Sequence, residues 1–75
     1  MSSEFIVAPV TADAPMAMQL MGKVEQALVS IPEASVVGRI ADRILVIQAS
    51  AAAVARLREV FGTQIRIEKN QDLHF

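Results

Sequence analysis

Arg43-Ile44-Leu45-Val46-Ile47-Gln48-Ala49 places four branched aliphatic side chains in an unbroken row. A strand with one wet face alternates apolar and polar residues. An unbroken run instead marks a strand with neighbours on both edges and apolar side chains on both faces. The stretch therefore reads as a central strand of a small sheet. Ile44 and Val46 fall on one face, Leu45 and Ile47 on the other. Both faces need cover, and a chain of 75 residues has little material for the second.

The flanking sequence supplies the rest of the sheet. Before the central strand, Ser35–Ile40 reads as a looser strand with Gly38 as a bulge position. Ala41–Asp42 is short enough for a hairpin turn. After it, Ser50 can cap a helix over Ala51–Phe61 whose buried stripe is Ala53, Val54, Leu57 and Phe61. Gly62 falls where a left-handed helix stop is expected. Gln64–Asn70 reads as a strand with Ile65 and Ile67 inward and Arg66 and Glu68 outward. Further upstream, Met1–Ser3 reads as a loose end and Glu4–Ala8 as the first strand, weakened at Pro9. Asp13 and Pro15 suit a helix start. Ala17, Leu20, Met21, Val24, Leu28 and Ile31 then recur at three- and four-residue steps over Pro15–Ser30, and Pro32 ends that helix.

The order β-α-β-β-α-β with right-handed crossovers gives an α+β, ferredoxin-like sandwich. Its antiparallel four-stranded sheet has the expected order 4-1-3-2, with two helices on one face. The two strands in the middle are then Phe5-Ile6-Val7 and Ile44–Ile47, the two most apolar. Residues 1–75 form a single domain, with 71–75 as an extended C-terminal tail. Both helices cover the same face. The second face of the central strands is then an open apolar patch, which reads as a partner surface; the alternatives are self-association through the same sheet and a small domain that is simply over-rich in apolar residues.

Composition narrows the function classes. Apolar residues make up 53% of the chain, and Phe5, Phe61 and Phe75 are its only aromatics. The net charge of −1 gives no bulk attraction to nucleic acid or to an anionic membrane. The ferredoxin-like topology is shared with RNA-recognition domains, but those stack bases on aromatics of the two central strands. Here only Phe5 is available, with Arg39, Arg43 and Arg66 as the residues for a small basic patch. No nucleic-acid partner is expected. The chain has no cysteine, so disulfides and thiolate metal sites are out. The N-terminus lacks a basic region and a long apolar run, and no stretch approaches the roughly 20 apolar residues of a membrane span. The expected location is cytoplasmic by default, with export by another route left open.

Candidate chemistry is sparse. His74 is the only histidine and stands without partner ligands nearby in sequence. The eight carboxylates are scattered, and their spacing implies surface solvation. Gly22, Gly38 and Gly62 stand alone, so no phosphate-cradling loop is present. Met16, Met18 and Met21 read as gap-fillers along one helix. No cofactor, no metal and no catalytic residue is expected.

The last third supports a family comparison. A helix containing Ala55-Arg56-Leu57-Arg58-Glu59-Val60-Phe61-Gly62 leads into a strand Gln64-Ile65-Arg66-Ile67-Glu68. A short polar link and a tail ending in an aromatic follow. This arrangement resembles the subtilisin propeptide family, which includes free-standing inhibitors of subtilisin-like serine proteases. The specific part is Val54–Phe75; the first strand and the element order fit as well. The resemblance implies the same sandwich, with its open sheet face laid against two parallel surface helices of the protease. It implies that Glu68 caps those helices, a position where a carboxylate is favourable. The family's second acid falls at Asn70, which can cap without charge. It further implies that Asp72, Leu73, His74 and Phe75 lie in the substrate cleft like a product, with Phe75 in the primary specificity pocket. Strand-like pairing would supply much of the affinity. Two departures stand out: Asp72 meets a pocket that usually takes an apolar group, and Arg43-Ile44 replaces the family's glycine-aromatic pair.

Three functional readings follow. The first is a non-enzymatic, propeptide-like inhibitor or folding chaperone of a subtilisin-like serine protease. The second is a homodimeric interaction or regulatory module that binds another protein or a small metabolite. The third, a catalytic small domain such as a dimeric monooxygenase of this topology, needs a polar-lined pocket for which the chain offers few residues. For the tail, the alternative to cleft binding is disorder, as for most chain ends.

Overall fold

Ile44–Ser50 forms strand β3, and it lies inside the sheet in the computed structural model, which describes residues 2–41 and 43–70. The other strands are β1 (Ser2–Pro9), β2 (Ala34–Ile40) and β4 (Ile65–Lys69). Helix α1 spans Ala14–Val29 and helix α2 spans Ala51–Phe61, followed by a 3-10 turn at Gly62–Gln64. All pairings are antiparallel and the order is β2-β3-β1-β4. This is the expected order read from the opposite edge, and the protein is a ferredoxin-like α+β sandwich.

The core forms because each strand sends alternate side chains toward the helices. Val7, Leu45, Ile47, Ala49, Ile65 and Ile67 meet Met21, Val24, Leu28, Val54, Leu57 and Phe61 in one buried cluster. Phe5, Leu20, Ala27 and Ala34 pack against its margin. Leu45, Ile47 and Leu57 are the largest side chains with essentially no exposure. Each contributes about 1.5–3 kcal/mol by leaving water.

Both helices start on side-chain caps. The Asp13 carboxylate accepts from the Met16 N–H at 3.1 Å, with a proline in the first turn of α1. The Ser50 hydroxyl accepts from the Ala53 N–H at 3.1 Å, and Ser50 is buried where β3 turns directly into α2. Arg58 of α2 reaches the Ile67 carbonyl of β4 at 3.3 Å, tying the second helix to the sheet.

Several sequence expectations change. β1 begins at Ser2, not Glu4, because Ser2 and Ser3 pair with Ser50 and Ala49 of β3. Pro9 stays in the strand as its last residue, opposite Ile65. Gly62 has φ 57 but ψ −128, so it is a glycine-favouring stop outside the ordinary left-handed helical region. The hairpin turn after β2 takes its positive φ (55°) at Ala41, without the Asn-Gly or Asp-Gly pair that usually signals such a turn. Of the methionines expected to fill gaps, Met21 is buried, while Met16 and Met18 are exposed. Asp42 and the 71–75 tail lie outside the described residues.

Candidate functional site

Among the described residues, no element lies over the face of the sheet away from the helices. Its residues follow from the register. Opposite residues of an antiparallel pair share a face, and alternate residues along a strand return to it. Ile6 faces Val46 of β3 and Glu68 of β4, while Gly38 of β2 is the next neighbour of Val46. This gives one row across the sheet: Gly38, Val46, Ile6, Glu68. One step along, Ile40 faces Ile44 and Ala8 faces Arg66. Continuing the β1–β3 register by one residue sets Ala8 beside Ile44. The second row is therefore Ile40, Ile44, Ala8, Arg66. A third row carries Ser35, Gln48 and Glu4.

The open face is thus a central apolar strip with a polar border. Ile6, Ala8, Ile44 and Val46 are half-buried by their own neighbours, and Ile40 is 50% exposed. Arg66 and Glu68 stand on the β4 edge with their side chains 72% and 65% exposed, Nε to Oε1 3.8 Å. A depression of about 130 Å³ lies between β1 and β4, bordered by Ile6, Ala8, Arg66 and Glu68. The expectation that the central strands carry apolar side chains on both faces holds, with Leu45 and Ile47 inward and Ile44 and Val46 outward.

Glu68 shares the open face with the apolar strip, and Asn70 adjoins it at the end of β4. The Asn70 N–H donates to the Glu4 carbonyl at 2.9 Å, and its side-chain amide donates to the Glu4 carboxylate. Glu4 was not singled out by the sequence, because the first strand was expected to start there and its register to β4 was not readable. Asp72, Leu73, His74 and Phe75 lie outside the described residues.

The basic patch considered from sequence does not assemble. Arg39 pairs with Leu45 just past the β2 bulge between Val36 and Gly38, and so takes the helix side. There its guanidinium donates to both oxygens of Glu25 on α1, with Nη1 to Oε1 at 2.8 Å. These hydrogen bonds are the main reason that the Glu25 carboxyl titrates below its ordinary value. Phe5 likewise packs on the helix side and offers no stacking surface on the open face.

Of the grooves elsewhere among the described residues, two flank helix α1. One, about 600 Å³, runs between the end of α1 and the β2 edge past Leu28, Val29, Ile31 and Val36. The other, about 390 Å³, lies by Val10, Met16, Leu20 and Lys23. Both are open and largely apolar. Among the described residues no three His, Asp or Glu side chains gather to hold a metal ion. No helix among them is long and apolar enough to cross a membrane. No family model matches this chain, and neither the curated proteins nor the solved structures give a significant match to it.

Proposed function

We propose that the chain is a non-enzymatic binding protein that docks through its open sheet face on a subtilisin-like serine protease. It acts as an inhibitor or folding chaperone of that enzyme. The observation that carries the reading is the strip Ile6, Ala8, Ile44 and Val46 with Glu68 on the same face. An apolar strip with a carboxylate at its border suits a surface made of helices that present their N-terminal ends. The resemblance of Val54–Phe75 to subtilisin propeptides names the enzyme class. In this reading Glu68 and Asn70 meet the helix ends. Asp72, Leu73, His74 and Phe75 enter the substrate cleft.

The test is a titration of a subtilisin-type protease with the full-length protein. Inhibition at micromolar concentration is expected, with a loss of at least tenfold in potency when Leu73–Phe75 is deleted. Chaperone action is read in parallel from the refolding yield of the denatured protease. Unchanged protease activity together with an unchanged refolding yield removes the reading.

A further inference from the structure

We infer that the open face is self-complementary and that two copies of the chain close it against each other. Two adjacent rows of the face are complementary to each other. One reads Ile40, Ile44, Ala8, Arg66 from the β2 edge to the β4 edge; the other reads Gly38, Val46, Ile6, Glu68. A two-fold axis lying across the strands, between these rows, exchanges them. Each residue of one row then meets its column neighbour from the other row of the second copy. Arg66 meets the partner's Glu68, and Glu68 meets the partner's Arg66. Ile44 packs on the partner's Val46 and Ala8 on the partner's Ile6. Ile40, the most protruding apolar side chain of the face, sits over the partner's Gly38, where no side chain stands in its way.

Charge, bulk and absence of bulk therefore all pair under one operation. That is the requirement for an isologous interface. Strand β1 lies over β1 and β3 over β3, as two sheets stack about 10 Å apart in aligned packing. In the single chain Arg66 and Glu68 are exposed and their contact contributes little. Between two closed faces the same charges set the register. The contact is confined to one small sheet face, at the low end of specific interfaces, so the dimer is weak and exchanging.

This inference rests on the open face alone. A dimer and a docked protease use the same surface, so the paired form is a resting state that separates before docking. The experiment contains no protease, so its failure leaves the docking proposal standing.

Light scattering on the full chain, over about 10 µM to about 1 mM, is expected to rise from the mass of one chain toward twice that value. Arg66→Glu and Glu68→Arg, each alone, weaken the dimer by at least tenfold. Mixed in equal amounts they restore it to within about threefold of the wild type, because each charge again meets its opposite. Both side chains are largely in water, so the fold is retained; circular dichroism verifies it. Gly38→Val provides an independent arm. A Cβ at Gly38 meets only the Val46 Cβ at an ordinary 3.8 Å within the chain, yet it fills the space that Ile40 of the second copy needs. It too weakens association at least tenfold. A wild type that stays monomeric throughout overturns the inference, and so does a dimer indifferent to the reversals or a mixture that fails to associate. A dimer whose strength is unchanged by Gly38→Val overturns the placement of the axis.

Discussion

Arg39 and Glu25 show how one side chain's direction decides its role. The fork of hydrogen bonds from Arg39 favours the ionised carboxylate, so Glu25 titrates below 4.5 in the folded chain. Folding therefore gains stability from this pair at pH values above 4.5 and loses it as pH falls through the lowered folded value. Arg39→Gln is expected to return the Glu25 midpoint, followed by NMR of its side-chain carboxyl, up toward 4.5. The stability difference between the variant and the wild type should be measurable at neutral pH and vanish in acid. Leu57 is the opposite case: it is fully enclosed. Leu57→Ala removes that packing and leaves a cavity, at a cost of about 2–5 kcal/mol in urea denaturation. In a domain of this size, with total stability of about 5–15 kcal/mol at most, that is a large share. Leu57 was legible as core from its helical spacing alone. The Arg39 partner was not, because the extra residue Val37 breaks the alternation counted along β2, so residue spacing does not tell which face Arg39 takes.

At the scale of elements, the helices differ in how glycine is used. Gly22 lies inside α1, and a Cβ added there meets nothing within 4 Å. Gly22→Ala should therefore raise stability by about 0.5–1 kcal/mol through a more rigid unfolded chain and better helix propensity. Gly62 ends α2 with φ 57 and ψ −128, a backbone region that side chains oppose. Gly62→Ala should lower stability by about 1–3 kcal/mol. Thermal unfolding of the two variants side by side checks both signs. The element types and their order were legible because each carries its own period: three- and four-residue steps in the helices, an apolar row in β3 and alternation in β4. The start of β1 was not, since Ser2 and Ser3 have no apolar content and join the sheet only because β3 runs on to Ser50. The exposure of Met16 and Met18 was missed for a related reason. They flank the buried Ala17 stripe, and methionine itself does not say which side of a helix it takes.

For the whole molecule, the sequence foresaw a sheet with helices on one side and a partly apolar second side. It did not foresee the arrangement of that side, because the two rows exist only once the register of all four strands is fixed. The β2 border has a consequence of its own. Val37 is the extra residue there: Val36 and Gly38 already face consecutive positions, Ile47 and Val46, of β3. Excising Val37 keeps every remaining side chain on its present side, Arg39 still toward Glu25. What changes is the rim, which loses its kink and presents a straight run of free amides and carbonyls to solution. The shortened protein should still fold by circular dichroism, yet polymerise side by side into filaments visible by electron microscopy at concentrations where the parent stays dispersed. The bulge would then be a guard against unlimited growth, spacing one molecule's margin from the next.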